Sequence, residues 1–170
     1  MMTYKHDCKK ATRRILRLLS FALLITGLFG CGAFTNMPFN GPIRFHALSA
    51  TVPEKFIRDS TRSSADLWVF EDGNYDECIL FSHKPLGEDG DTSLDSYVDY
   101  MKEQGAASAI TTFLEMDAVL STYTKEGFFC QEILFAYDGA FYAVALRGGM
   151  EDEFSALLDT VSLAENTNTL

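Results

Sequence analysis

One segment constrains the fold of this 170-residue chain more than any other. Residues 127–148 read GFFCQEILFAYDGAFYAVALRG, two apolar runs separated by Asp138-Gly139. Asp-Gly favours a two-residue hairpin turn because both residues tolerate a positive φ. The register that follows sets Tyr137 opposite Ala140, Phe135 opposite Tyr142, Ile133 opposite Val144 and Gln131 opposite Leu146. One face of this hairpin is nearly all apolar and the other is apolar near the turn. We therefore predict that it lies at the centre of an antiparallel sheet.

The remaining strands and helices follow from periodicity. Strand-like runs cover residues 44–52, 65–71, 75–83, 109–116 and 118–124, and Asp72-Gly73-Asn74 predicts a hairpin between the second and third of them. Residues 53–64 are predicted to be a polar connection and residues 84–91 an acidic loop. Two helical stripes, spaced i, i+3, i+4, i+7, consist of Leu94, Tyr97, Val98, Met101 and of Phe154, Leu157, Leu158, Val161. The predicted fold class is α+β, an antiparallel sheet of about six to seven strands packed with two main helices.

The ends of both helices carry signals of their own. Thr92 with Asp95 is the predicted N-terminal cap of the first helix, and Gly105 is its predicted stop. Three acids at residues 151–153 open the second helix, where the positive end of the helix dipole favours them.

The N-terminal segment differs from the rest in charge and hydropathy. Residues 1–30 carry six basic residues and one acid, and residues 18–30, LLSFALLITGLFG, are uncharged. Thirteen residues rise about 20 Å as a helix, which is short of the roughly 30 Å hydrocarbon core of a membrane. A basic stretch before a short apolar run is typical of a secretory signal. We divide the chain into a signal peptide (1–30), a tether (31–43), one globular domain (44–165) and a polar tail (166–170).

The signal ends in Leu28-Phe29-Gly30-Cys31, which resembles a bacterial lipobox apart from Phe29, where a smaller residue is usual. The resemblance implies cleavage before Cys31 and lipidation of its thiol, as in lipoproteins labelled by palmitate. The acyl chains would then hold the protein on the cell membrane, facing the extracytoplasmic side. Two alternatives remain open: a plain signal cut after Ala33, or an uncleaved anchor. All three place residues 34–170 outside the cytoplasm.

Charge limits the partners of the exported part. Residues 31–170 hold eight basic and 23 acidic residues, a net charge of −15, and the basic residues are scattered singly. Nucleic-acid binding needs clustered Lys and Arg, so no nucleic-acid partner is expected. Anionic head groups would repel this domain from the bilayer surface.

Four sets of residues are candidates for a site, but no catalytic, cofactor-binding or metal residue is predicted. His46 and His83 lie far apart in sequence without a nucleophile motif, and we expect them to be structural or surface residues. Glu88-Asp89-Gly90-Asp91 does not have EF-hand spacing. Cys78 and Cys130 lie in apolar runs; export permits a disulfide, but two buried thiols are favoured. Trp68 and its aromatic neighbours serve either the core or a partner surface.

The element order resembles the PsbP family, whose fold is shared with the eukaryotic Ran-release factor and DcrB-type bacterial lipoproteins. The similar pieces are Val52-Pro53-Glu54, the helix Ser93–Gln104, and the final blocks YDGAFYAVAL (137–146) and EDEFSALLDTV (151–161). The resemblance implies an antiparallel sheet between helices and a binding or accessory role. It transfers no catalytic residue.

These observations lead to one main hypothesis and two alternatives. The first is a membrane-anchored, extracytoplasmic lipoprotein that acts without catalysis as a binding or accessory module, with a protein or small ligand as its partner. The alternatives are an exported hydrolase whose site is assembled from distant residues, and a structural subunit of a surface complex. In the first case His46 and His83 are expected to be dispensable.

Overall fold

The computed structural model describes residues 41–86 and 93–164. The predicted signal peptide, lipobox and most of the tether lie outside these residues, as do Glu88–Asp91 and the tail 166–170. Neither helix of the described part is long and apolar enough to cross a membrane.

The described residues form an α+β structure with two antiparallel sheets and two helices. The strands are β1 (Gly41–Phe45), β2 (Leu48–Val52), β3 (Phe56–Arg58), β4 (Leu67–Asp72), β5 (Cys78–Pro85), β6 (Ala107–Phe113), β7 (Met116–Lys125), β8 (Phe128–Tyr137), β9 (Ala140–Arg147) and β10 (Ser162–Leu163). The helices are α1 (Leu94–Glu103) and α2 (Glu151–Asp159). The main sheet has the order β3-β4-β5-β9-β8-β7-β6 and the small sheet the order β1-β2-β10. The predicted fold class is confirmed.

The hairpin of residues 127–148 is the centre of the main sheet, as predicted. β8 pairs with β9 in the predicted register, from Tyr137 opposite Ala140 to Gln131 opposite Leu146. The turn residues Asp138 and Gly139 have φ values of 46° and 72°, as an Asp-Gly turn requires. β9 is the fourth of seven strands, so each of its edges is hydrogen-bonded to a neighbour.

The two faces of the main sheet are covered differently. The face that carries Phe81 and Val144, the small-sheet face, packs on the small sheet and on α2 to form the largest hydrophobic core. The opposite face, the α1 face, packs on α1 near β6 and β7. At its other end Arg62 forms an ion pair with Glu71 of β4, whose side chain lies on the side opposite to the core residue Phe70. Both faces therefore contribute buried side chains.

The segment 44–52 is not one strand, and this prediction was wrong. The chain reverses at His46-Ala47, so that Phe45 of β1 lies opposite Leu48 of β2. The turn contains neither Gly nor Pro, and His46 adopts a φ of 51°. The sequence carries a weak trace of the turn, because the apolar alternation changes phase there, from Phe45 and Ala47 to Leu48, Ala50 and Val52.

Other boundaries moved by a few residues. Ser93, not Thr92, caps α1, because its Oγ accepts a hydrogen bond from the Ser96 amide at 3.1 Å. The turn between β6 and β7 falls at Leu114-Glu115, ahead of the predicted break at Asp117. The connection 53–64 contains β3, and β10 was not predicted.

Candidate functional site

His46, Asp66 and His83 meet where the small sheet approaches the main sheet. His46 lies in the turn between β1 and β2, Asp66 directly precedes β4, and His83 belongs to β5. One potential ligand atom from each of them lies within 4.8 Å of the other two. This set of three residues, the His–Asp–His cluster, is the candidate functional site.

A single carboxylate oxygen contacts both imidazoles. Oδ1 of Asp66 lies 3.0 Å from Nδ1 of His83 and 3.3 Å from Nε2 of His46. The two rings stack, with their centroids 3.8 Å apart and their planes at 15°. Nε2 of His46 also lies 2.9 Å from the Ala65 carbonyl oxygen, a hydrogen-bond acceptor. Each of these two ring nitrogens faces an oxygen that accepts hydrogen bonds. Nδ1 of His83 and Nε2 of His46 therefore both act as donors.

Backbone pairing fixes two members of the cluster. The His83 amide donates to the Asp66 carbonyl oxygen at 2.9 Å, so Asp66 and His83 are held by the β4–β5 hairpin. Rings flank both histidines: Phe45 stands edge-on to His46 at 4.8 Å, and Tyr142 lies 5.1 Å from His83. His46, which depends on a turn, is the least constrained of the three.

The cluster is open to solvent on one side. The exposed fractions of the side chains are 58% for Asp66, 32% for His46 and 14% for His83. In the described part of the chain neither imidazole hydrogen-bonds a hydroxyl group. The donor set, two imidazole nitrogens and one carboxylate oxygen, suits the binding of a transition-metal ion.

The sequence indicated two separate histidines, and the structure brings them together. Asp66 was missed. The observed register places it beside His83, because Leu67 lies opposite Ser82. A tight turn at Asp72-Gly73-Asn74 would not give this register, since the loop between the two strands runs from residue 73 to residue 77. No local signal placed His46 there, since its contacts with Asp66 and His83 depend on how the small sheet packs on the main sheet. Trp68 is half-buried beneath the Arg58 guanidinium, at 3.8 Å from the ring centroid, and Phe70 is fully buried.

The two cysteines of the described part are buried free thiols. Cys78 of β5 and Cys130 of β8 both lie opposite Arg147 of β9, on its two sides. Two strand spacings amount to about 9.5 Å, whereas a disulfide needs Cα atoms closer than about 7 Å. The favoured prediction of buried thiols is thus confirmed. Burial raises the pKa of Cys78 to about 12 and also raises that of Cys130.

Comparison with known proteins supports the fold. No protein-family model matches the chain, and no curated protein matches it significantly. The solution structure of cyanobacterial PsbP (CyanoP) from Synechocystis sp. PCC 6803 is similar with a TM-score of 0.53 at 12% identity. The match covers 79% of this chain and 98% of CyanoP. The predicted PsbP-like fold is therefore confirmed, and at this identity the likeness shows the fold alone.

Two looser likenesses carry no argument. A crystal structure from Bacteroides thetaiotaomicron VPI-5482 matches with a TM-score of 0.48 at 12% identity, covering 77% of this chain and 48% of that protein. This chain thus spans about half the length of that protein. LpqN, involved in cell envelope biogenesis of Mycobacterium tuberculosis, matches with a TM-score of 0.35 at 14% identity, covering 76% of this chain and 91% of LpqN.

Proposed function

We propose that this protein is a lipid-anchored lipoprotein on the extracytoplasmic side of the cell membrane, where it acts without catalysis as a binding or accessory module. The observation that carries the proposal is Leu28-Phe29-Gly30-Cys31, placed after a basic stretch and a short apolar run. Cleavage before Cys31 would leave a lipidated residue at the start of the mature chain.

The position of the fold relative to Cys31 fits this proposal. The first strand begins at Gly41, so nine residues separate it from the predicted lipid. Fully extended, they would span at most about 35 Å. That length allows the domain to stand clear of head groups that would repel its negative charge. The PsbP-like fold adds support, because the resemblance to the PsbP family implies a binding or accessory role.

Palmitate labelling tests the anchor. The wild-type chain should incorporate radiolabelled palmitate in a bacterial host and sediment with membranes, whereas Cys31→Ser should do neither. Cys8→Ser is the matched control, since Cys8 belongs to the predicted signal, and it should label like the wild type. Equal labelling of wild type and Cys31→Ser would overturn the anchor.

A fusion tests the side of the membrane. Alkaline phosphatase folds actively only after export, so its fusion after residue 164 should be active. The same fusion without residues 1–30 should be inactive. An inactive full-length fusion, with stable protein present, would contradict the extracytoplasmic location.

The exported hydrolase is the alternative that one observation favours. Asp66 contacts His83 at 3.0 Å, which is the arrangement of a general base oriented by a carboxylate. The double variant His46→Gln/His83→Gln separates the two functions. Under the main proposal we expect it to keep its melting temperature and its cellular phenotype. Loss of the phenotype with an intact fold would contradict the main proposal, and it would favour the hydrolase only if the wild type also cleaves a substrate that the double variant does not.

A further inference from the structure

We propose that the His–Asp–His cluster is a binding site for one divalent transition-metal ion of the Zn²⁺ class. The proposed ligands are Nε2 of His46, Oδ1 of Asp66 and Nδ1 of His83, with solvent in the remaining position. This inference goes beyond the proposed function and does not depend on lipidation of Cys31.

Distances between the ligand atoms support the site. Two ligands bonded to Zn²⁺ at about 2.0–2.1 Å in tetrahedral geometry lie about 3.3–3.4 Å apart. The carboxylate oxygen of Asp66 lies 3.3 Å from the His46 nitrogen and 3.0 Å from the His83 nitrogen. Two of the three ligand pairs are therefore already near the separation that one shared ion requires, and the third lies within 4.8 Å.

The donor chemistry selects the kind of metal. Imidazole nitrogen suits Zn²⁺, Cu²⁺ and Ni²⁺, whereas Mg²⁺ and Ca²⁺ prefer oxygen ligands throughout. Two imidazoles and one carboxylate, with one open position, match the three-ligand zinc sites of proteins. The exported part of the chain carries a net charge of −15, which raises the local concentration of cations.

Metal binding requires one ring to move. The lone pair of an imidazole nitrogen lies in the plane of its ring. The planes of His46 and His83 are at only 15°, so the lone pairs of the two rings cannot both be directed at one ion in this arrangement. Asp66 and His83 are fixed by backbone pairing, whereas His46 sits in a turn with a third of its side chain exposed. We therefore expect His46 to rotate and to give up its contact with the Ala65 carbonyl when the ion binds. Each ligating nitrogen must lose its proton, so the neutral rings would carry their protons on Nδ1 of His46 and on Nε2 of His83.

Calorimetry with Zn²⁺ tests the site. The probe is Zn²⁺ alone, titrated into the full-length chain in detergent micelles after removal of metal by a chelator, without a histidine tag. We expect one saturable ion per chain that excess Mg²⁺ or Ca²⁺ does not displace. His46→Gln, Asp66→Asn and His83→Gln should each weaken binding by at least about 10–100-fold, since changes even to outer-sphere partners have effects of that size.

Matched controls separate this site from adventitious binding. His6→Gln removes the remaining histidine of the chain, and Asp99→Asn removes an exposed carboxylate on α1; both should bind Zn²⁺ like the wild type. Cys31→Ser should also bind like the wild type, so failure of the metal site and failure of the anchor are distinguishable. The proposal is overturned if no one-to-one site exists or if any of the three ligand variants binds like the wild type.

NMR of the wild-type chain keeps the test valid if a variant fails to fold. Saturating Zn²⁺ should shift the ring signals of His46 and His83 and leave those of His6 in place. Unshifted signals of either proposed ligand would overturn the site whatever the variants do.

Discussion

Tyr97 of α1 donates its phenolic hydrogen to Glu132 of β8, with 2.5 Å between the two oxygens. Only 1% of Glu132 is exposed, and the carboxylate also accepts a hydrogen bond from Tyr123 of β7. Burial raises the pKa of Glu132 above its ordinary value of 4.5, and the two phenols offset part of this rise. A titratable group thus lies at the contact between α1 and the main sheet.

Glu132→Gln should therefore change how stability depends on pH. The folded state holds the Glu132 proton more tightly than the unfolded chain does. The stability that this proton provides is fully present below pH 4.5 and is lost as the pH rises through the raised pKa. Glutamine stays neutral and still accepts a hydrogen bond. The free energy of unfolding of the variant, relative to that of the wild type, should therefore rise between pH 4 and pH 8.

Urea denaturation at each pH measures this effect as a difference in the free energy of unfolding. Glu103→Gln, an exposed position on α1, is the control and should show no such trend. A difference between Glu132→Gln and wild type that is the same at every pH would contradict the raised pKa.

A second prediction concerns Arg62, of whose side chain 12% is exposed. It forms ion pairs with Glu71 and with Asp59, whose Oδ2 lies 3.6 Å from Nε. Both carboxylates are nearly fully buried, and Asp59 also accepts hydrogen bonds from the Thr61 amide and hydroxyl. Arg62→Met leaves two buried carboxylates without this cation and should lower the free energy of unfolding by about 3–5 kcal/mol.

Lys55→Met is the matched control for Arg62. Lys55 also pairs with two carboxylates, Glu77 at 2.5 Å and Glu153 at 2.7 Å, but 43% of its side chain is exposed. Exposed pairs contribute about 0–1 kcal/mol. Chemical denaturation of both variants gives the comparison. Equal losses of unfolding free energy in the two variants would contradict the burial of the ion pairs of Arg62.

Local signals explain why so much of the main sheet could be predicted. Asp138-Gly139 sets a turn and a register by itself, and every strand residue on either side follows from it. The α1 stripe was also visible, because Tyr97, Val98 and Met101 repeat at helical spacing and are buried. In the second stripe Phe154 and Leu157 are buried, whereas Leu158 is only half-buried.

Contacts between distant segments could not be predicted in this way. The His–Asp–His cluster needs the turn at His46-Ala47, which contains no Gly, Pro, Asn or Asp, and the docking of the small sheet on β4 and β5. The Arg62 ion pairs likewise depend on how a segment taken as a polar connection lies on the sheet. Such contacts are set by tertiary packing, which leaves no period in the sequence.

Thiol reactivity provides a third prediction. Burial raises the pKa of Cys78 to about 12, so almost no reactive thiolate exists at pH 8, and Cys130 is also buried with a raised pKa. Neither should be alkylated by iodoacetamide in the folded protein within the time that labels both completely in 6 M guanidinium chloride. Peptide mass spectrometry assigns the label to each cysteine. Labelling of Cys78 in the folded state at the denatured rate would show that β5 is not protected by its neighbours.

The last prediction isolates the backbone conformation of the central hairpin. Gly139 has a φ of 72°, whereas Gly73, in the β4–β5 hairpin, does not adopt a positive φ; a Cβ at either position would meet nothing within 4 Å. The two substitutions to Ala thus differ in backbone strain and not in crowding. Gly139→Ala should lower the free energy of unfolding by about 1–2 kcal/mol, because a left-handed conformation disfavours a side chain. Gly73→Ala should be neutral or stabilise by up to about 1 kcal/mol, because it restricts the unfolded chain. Urea denaturation of both variants at one pH measures the contrast, and equal effects would show that Asp138-Gly139 does not form the turn that sets the register of β8 and β9.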